Sequence, residues 1–353
     1  MQRQLLLSQF ASQAWAMDPT YLATFASVLQ RWSSGEPASN QAMSDIHAAQ
    51  NARVTKKQSS TNTGNISVLF FNGVVSQKAN LVQEASGSGG LSTQVFTGAF
   101  RDALDDPSIG GLLIDFDSPG GSVYGTGELA TEIYNARGKK PIYGYVNSLC
   151  ASAAYWVAAQ CDQLFITPGG QAGSLGVYMQ HIDESGALDK AGLKVEFISA
   201  GKYKVEGNSL GPLQSQARSH LQNQIDSYYS AFTSAVAKGR GVPVASVRGG
   251  FGEGRCLTAG DALKAGMVDG VCSFEEVIAR LSQCIKGGSA NRTSTASVKQ
   301  SVTSGHTVAM NARRRELEIA EMSLHIKTEN QSQKRKRINE EARQRELALL
   351  SIR

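Results

Sequence analysis

An alternation of short apolar runs with helical patterns between residues 66 and 286 constrains the fold most. Residues 111–116 read GLLIDF, a nearly continuous apolar strand of the kind that is buried in parallel sheets. Further strand patterns cover residues 66–71, 141–146 and 163–167, and helical patterns cover residues 93–104, 122–137, 151–159, 182–191 and 210–238. Strands that alternate with helices in this way predict βαβ units, so we expect a layered α/β fold.

The remaining sequence divides into four segments around this body, which we place at 66–286. Apolar residues recur at helical spacing near the start, which predicts an N-terminal helical segment over 1–32, and a polar linker follows over 33–65. After the body, a Gly-, Ser- and Thr-rich stretch predicts a flexible linker over 287–310. The last segment, 311–353, predicts a charged helical tail that either pairs with a partner, as a scaffold would, or stays solvated.

Composition argues against several classes of protein. No stretch reaches the roughly 20 apolar residues of a membrane-spanning helix, so we expect a cytoplasmic chain without a membrane anchor. Much of the net charge of +5 lies in the tail, and the basic run at 334–337 is too weak a signal to predict a nucleic-acid partner. The five cysteines show neither CxxC spacing nor nearby paired histidines. We therefore expect free thiols, no metal site and no cofactor.

The first segment with chemical potential is DSPGGS at residues 117–122, between a strand pattern and a helix pattern. Its proline fixes one backbone dihedral, and its paired glycines reach conformations that are closed to other residues. Peptide N–H groups at such a corner can face an anion, beside the positive end of a helix. A plain strand-to-helix turn without a ligand accounts for the same residues.

The second segment places Ser152 among alanines, in SLCASAAYW at residues 148–156. Small neighbours let a substrate backbone approach closely, and a helix N-terminus favours the negative charge of a tetrahedral intermediate. A serine at the start of a helix also acts as an ordinary cap.

The third segment, SAGKYKV at residues 199–205, follows a strand-like run at 195–198. An extended backbone would point Lys202 and Lys204 to the same side. A lysine acts as a general base only when its neutral form is accessible, which burial can arrange by lowering its pKa. Lysines in a loop are otherwise solvated.

Taken together, these segments resemble the signal peptide peptidase A family of serine peptidases. The resemblance covers residues 66–277 and includes five blocks in the same order: LLIDFDSPGG, CASAAYW, ITPGGQAGSLGV, GKYK and FGEGRCLTAGDALKAGMVDGV. It implies a crotonase or Clp-protease-like fold of repeated ββα units and a homo-oligomer. It also implies that Ser152 is the nucleophile and Lys204 its general base, and that the backbone N–H groups of Gly121 and Ala153 form the oxyanion hole.

In that arrangement neutral Lys204 accepts the proton of the Ser152 hydroxyl as the oxygen attacks a peptide carbonyl, and returns it to the leaving amine. The resemblance leaves Lys202 for the surface or for substrate contact. None of the five histidines lies in a block that resembles a Ser–His–Asp triad, and we expect His181 to be structural or at the surface.

The flanking helical segments resemble those of bacteriophage head-maturation proteases in the same family. This likeness implies a capsid-assembly protease that acts on scaffold or portal-associated proteins, in the host cytoplasm or the procapsid. Three alternatives stay open at this stage: a bacterial cytoplasmic peptide hydrolase, a crotonase-type acyl-CoA enzyme, and an inactive scaffold module that retains the fold.

Overall fold

The computed structural model describes residues 14–17, 65–78 and 90–293. The strands are β1 (Trp15–Met17), β2 (Ile66–Asn72), β3 (Val75–Ser76), β4 (Leu91–Ser92), β5 (Gly111–Ser118), β6 (Gly120–Ser122), β7 (Ile142–Ala151), β8 (Gln163–Ile166), β9 (Gln171–Gly173), β10 (Cys256–Thr258) and β11 (Gly270–Val271). The helices are α1 (Thr93–Asp105), α2 (Thr126–Ala136), α3 (Ala153–Ala158), α4 (Ser185–Lys190), α5 (Ser215–Arg240), α6 (Val244–Gly250), α7 (Ala259–Lys264) and α8 (Phe274–Thr293).

A largely parallel sheet with the order β10-β9-β7-β5-β2 forms the centre of the fold. Strand β7 is long enough to pair with two strands on one edge, β8 along residues 143–146 and β9 along residues 149–151. On its other edge β7 pairs with β5, and the register shifts between Phe116 and Ser118. This bulge allows β7 to continue to Ala151, directly before Ser152.

A smaller sheet, with the order β1-β6-β3-β4, lies at the ends of the large-sheet strands. Strand β2 leads into β3 and then towards α1, and β5 leads into β6 and α2. Each of these repeats therefore gives a long strand to the large sheet, a short strand to the small sheet, and a helix. The predicted α/β fold of ββα units is confirmed.

Apolar side chains cover both faces of the large sheet, because successive residues of a strand point to opposite sides. Leu112, Ile114 and Phe116 of β5 join the main core. Leu113 joins a second cluster that includes Leu281 of α8. Burying each such side chain fully contributes roughly 1.5–3 kcal/mol, so the two clusters hold the large sheet firmly from both faces.

Helix α1 shows how the local sequence sets the element bounds. The Ser92 hydroxyl accepts a hydrogen bond from the Val95 amide at 3.3 Å and caps the helix N-terminus. Phe96 and Phe100 are buried at the spacing of one helical turn. The helix ends before Pro107, since a residue that precedes proline avoids the helical conformation.

Two predicted helices differ in extent from the structure. The helix expected at 122–137 begins at Thr126, because residues 120–122 pair as β6. The helix expected at 182–191 covers only Ser185–Lys190. Helix α8 continues through residues 287–293, at the start of the predicted flexible linker.

Other predictions are wrong for reasons of tertiary pairing. Residues 15–17 form a strand rather than a helix, because β6 offers them a backbone edge. The strand-like run 195–198 forms no strand, and residues 201–207 lie in turns rather than an extended backbone. Most of the N-terminal helical segment and the polar linker, and all of the charged tail, fall outside the described residues.

The one strongly perturbed carboxyl group of the central sheet belongs to Asp115 of β5. Asp115 is buried, and only its Oδ2 atom has a hydrogen-bond donor, Asn147 Nδ2 at 3.4 Å; Oδ1 has none among the described residues. Burial is the largest cause that raises the pKa of Asp115 to about 6, and the nearby Asp117 adds to it. The ionised carboxylate is therefore destabilising in the folded state.

We expect Asp115→Asn to raise the free energy of unfolding at pH 7 by about 1–3 kcal/mol, because the shifted pKa corresponds to a cost of that order. The folded carboxyl holds its proton up to about pH 6, whereas the unfolded one loses it near pH 4. Stability of the native chain should therefore fall as pH rises between these values. Urea unfolding from pH 4 to 7 measures the slope of the free energy of unfolding against pH, and Asp115→Asn should make that slope smaller.

The matched control is Asp117→Asn, which changes an exposed carboxylate two residues away that accepts a hydrogen bond from Ser148. It should keep most of this dependence of stability on pH, because Asp115 is still buried and burial is a larger cause of its raised pKa than the charge of Asp117. An equal slope in the wild type and in Asp115→Asn would contradict the assignment.

Candidate active site

The corner at residues 117–122 is built by side-chain and backbone bonds that hold its glycines in place. Ser118 donates a hydrogen bond to the Gly73 carbonyl at 2.6 Å and accepts one from the Gly120 amide at 3.2 Å. Gly120 has a φ of 91°. A methyl group there would overlap the Ala16 carbonyl oxygen and would lie 3.0 Å from the Ala153 amide nitrogen. Only glycine therefore brings the strand this close to the start of α3.

Ser152 occupies the junction between the end of β7 and the start of α3. Its backbone has φ 55° and ψ −115°, a combination that costs a residue other than glycine about 1–3 kcal/mol. The Ser152 amide donates to the Gly173 carbonyl at 2.7 Å, and its carbonyl accepts from the Trp156 amide at 3.0 Å. A sharp strand-to-helix turn that exposes a serine oxygen to the first amides of a helix suits a nucleophile.

The Ser152 side chain is 1% exposed, and its Oγ donates to the Gly176 carbonyl at a long 3.4 Å. Ala153 is the first residue of α3, where amides have no carbonyl partner within the helix. Gly121 lies in β6, next to Gly120. The structure thus brings the sequence-predicted Ser152, Ala153 and the glycine corner together.

Lys204 is the predicted site residue that the structure does not bring to the others. It lies in the turn at 201–207, where its side chain is exposed and its amide donates to the Gly201 carbonyl at 3.1 Å. No hydrogen bond joins Lys204 to Ser152 in the described part of the chain. Lys202 is also exposed, with its Nζ 4.9 Å from the centre of the Tyr203 ring.

Three features near Ser152 were not predicted from the residues themselves. Ser174 is buried, has a φ of 56°, and donates its amide to the Arg255 carbonyl at 2.9 Å. Gly176 supplies the carbonyl that Ser152 contacts. Strand β1 lies beside the glycine corner. The small residues of AGSLGV were a usable signal for the first two, whereas nothing local marks β1.

His181, which we expected to be structural or at the surface, lies with its Nε2 3.3 Å from the Gly211 carbonyl oxygen. The described ranges contain no group of His, Cys, Asp and Glu side chains arranged to hold a metal ion. No helix within those ranges is both long and apolar enough to cross a bilayer.

Comparison with known proteins adds a family. Residues 135–287 match the sequence profile of Peptidase family S49, a stretch that contains Ser152, Ala153 and Lys204. Over these residues the chain is similar to the peptidases of family S49. Gly121 lies before the S49 match and is joined to it through the packing of β6 against α3.

Two phage proteins are among the relatives of this chain. The head-tail preconnector protein GP5 of Enterobacteria phage P21 is 30% identical over 227 residues, which cover 63% of this chain and 44% of that protein. Capsid assembly protease C of Escherichia phage lambda is 29% identical over 213 residues, which cover 60% and 48%. The chain therefore spans about half the length of these relatives.

A solved structure of the 1510-N membrane protease specific for a stomatin homolog from Pyrococcus horikoshii is also similar. It shares 15% identity, covers 61% of this chain and 77% of its own, and has a TM-score of 0.37. A score this low describes a partial resemblance. We therefore describe the α/β architecture of this chain from its own strand pairing.

We expect Ser152→Gly to be more stable than Ser152→Ala by about 1 kcal/mol, because glycine adopts a positive φ without strain. Both variants lose the hydroxyl group, so their difference reports the strain of the turn set against the burial of one methyl group. Chemical denaturation of the two proteins measures it. An alanine variant as stable as the glycine variant would show that the turn stores no strain.

Proposed function

We propose that this protein is a serine peptidase that uses Ser152 as nucleophile and Lys204 as general base. The observation that carries the proposal is the strained turn of Ser152, which aims a serine at the first amides of α3 beside a glycine corner. The match to peptidase family S49 over the same residues supports it and argues against the acyl-CoA alternative.

The reaction follows from the groups at this turn. The Ser152 oxygen attacks a peptide carbonyl while an amine accepts the hydroxyl proton, and that proton passes to the leaving amine. The developing oxyanion receives the N–H groups of Gly121 and Ala153, donors that are each worth a few kcal/mol of transition-state stabilisation. Water then hydrolyses the acyl-enzyme by the same proton transfers.

A fluorophosphonate probe, which reacts with activated serines, tests the assignment. We expect Ser152→Ala to abolish labelling and Lys204→Ala to slow it by about 10²–10⁴-fold, the usual contribution of a general base. Lys202→Ala is the matched control, because it removes the same charge from the same turn. It should label at the wild-type rate.

Labelling of Lys204→Ala at the wild-type rate would show that another group activates the serine. Labelling of Ser152→Ala would overturn the nucleophile itself. Both variants should first show the wild-type unfolding transition, so that a lost rate is not a lost fold.

The exposure of Lys204 has a consequence for assembly. A lysine base needs burial to favour its neutral form, and an isolated chain leaves this turn in water. The same stretch exposes several large apolar side chains: Ile182, Leu193, Val195, Phe197 and Ile198. A patch of this kind is typical of a protein interface. We propose that a second copy of the chain covers it and that Lys204 approaches the Ser152 of that copy.

Mixing two inactive variants distinguishes this arrangement from one within a single chain. Ser152→Ala retains the lysine and Lys204→Ala retains the serine, so mixed assemblies should regain a fraction of wild-type activity on casein or on the probe. Activity that stays at the level of the separate variants, in mixed oligomers verified by mass, would place the two groups in the same chain.

The substrates that we propose are scaffold or portal-associated proteins of a phage procapsid, cleaved in the host cytoplasm or the assembling particle. This step rests on the names of the two phage relatives. Co-expression with the capsid proteins encoded beside this gene tests it. Fragments that form with the wild type but not with Ser152→Ala would support the role, and an unchanged set of intact proteins would count against it.

A further inference from the structure

Strand β1 is held on both of its backbone edges, as a bound peptide would be. On one side it pairs antiparallel with β6, with Ala16 opposite Gly121 and Met17 opposite Gly120. On the other side Trp15 and Tyr178 exchange two backbone hydrogen bonds, of 2.9 and 3.0 Å. An extended segment clamped between two edges is the geometry by which proteins take up peptide strands.

Both edges lead directly to the nucleophile. Gly120 lies between the carbonyl of Ala16 and the amide of Ala153, because a methyl group on Gly120 would be in close contact with both. Tyr178 follows two residues after Gly176, whose carbonyl accepts the Ser152 hydroxyl. Strand β1 therefore occupies the strip of backbone that leads to Ser152.

The side chains of residues 14–17 fit this groove in an alternating pattern. Ala14 and Ala16 are fully buried against the main core. Trp15 and Met17 turn to the other side and pack with Val74 and Tyr178. All four residues are at most 3% exposed, so the segment is packed into the protein and does not lie on its surface.

We propose that residues 14–17 are an internal peptide ligand that fills the substrate groove of Ser152 and competes with substrates for it. The proposal rests on the peptidase function proposed above. The chain in this state is self-blocked, and an incoming peptide gains access only when the segment leaves β6 and Tyr178. Substrates are then expected to bind as the segment does, extended and with small side chains two residues apart.

Ala16→Glu in the full-length chain tests the proposal, because a carboxylate cannot be buried unpaired in the core and the strand must leave. If the groove is open in about a tenth of wild-type molecules or fewer, expulsion should speed fluorophosphonate labelling of Ser152 about tenfold or more. Ala99→Glu is the matched control, since it makes the same change on the exposed face of α1. It should label at the wild-type rate.

A synthetic peptide with the sequence of residues 12–18, SQAWAMD, supplies the second arm. Added to Ala16→Glu it should slow labelling back towards the wild-type rate, whereas the same peptide with glutamate at the position of Ala16 should not. A fluorescein-tagged form should bind Ala16→Glu saturably in fluorescence anisotropy and bind the wild type weakly. Failure to bind the folded variant would overturn the proposal.

Thermal unfolding identifies a variant that does not fold, and Trp15→Ala then replaces it, because it removes only packing from the strand. Equal labelling rates of a folded strand variant and the wild type would show that β1 is a fixed part of the sheet. If no variant labels, the proposed peptidase function fails, while peptide binding to Ala16→Glu still decides whether the groove holds this segment.

Discussion

The backbone conformation of Ser152 is the constraint on which the rest of the site depends. A serine does not hold a positive φ by itself, so the surrounding structure has to impose it. Two hydrogen bonds impose it at the point where β7 ends and α3 begins. The Ser152 amide donates one to the Gly173 carbonyl, and the Ser152 carbonyl accepts the other from the Trp156 amide. Because β7 lies inside a parallel sheet that is packed on both faces, this turn has little freedom to relax.

The glycine corner depends on that turn in its own way. Gly120 fits against the Ala151 carbonyl and the Ala153 amide only because it lacks a side chain. This contact places β6 beside Ser152 and leaves the outer edge of β6 open to an extended segment. Strand β1 takes that edge, so the same contact that assembles the site also determines where a peptide can lie.

The part of the chain that contains Lys204 differs from the body around Ser152 in how much apolar surface it buries. The body around Ser152 buries its apolar side chains, whereas the stretch around Lys204 leaves Phe197 and Ile198 largely in water. In the mechanism that we propose, a single chain therefore supplies a buried serine and a lysine that is still exposed to water. In the proposed assembly, contact with a second copy supplies the burial that a neutral lysine requires.

Local pattern determined much of this protein from the sequence alone. The apolar run at 111–116, the small residues around Ser152 and the paired glycines after Pro119 were sufficient to predict the α/β layers, the strand-to-helix turn and the glycine corner, because each depends on neighbours in the chain. Only tertiary structure decided that residues 15–17 form a strand, that residues 195–198 do not, and that Lys204 lies exposed. Those outcomes depend on which backbone edge or apolar surface is available from distant residues, and such partners leave no trace in the local spacing.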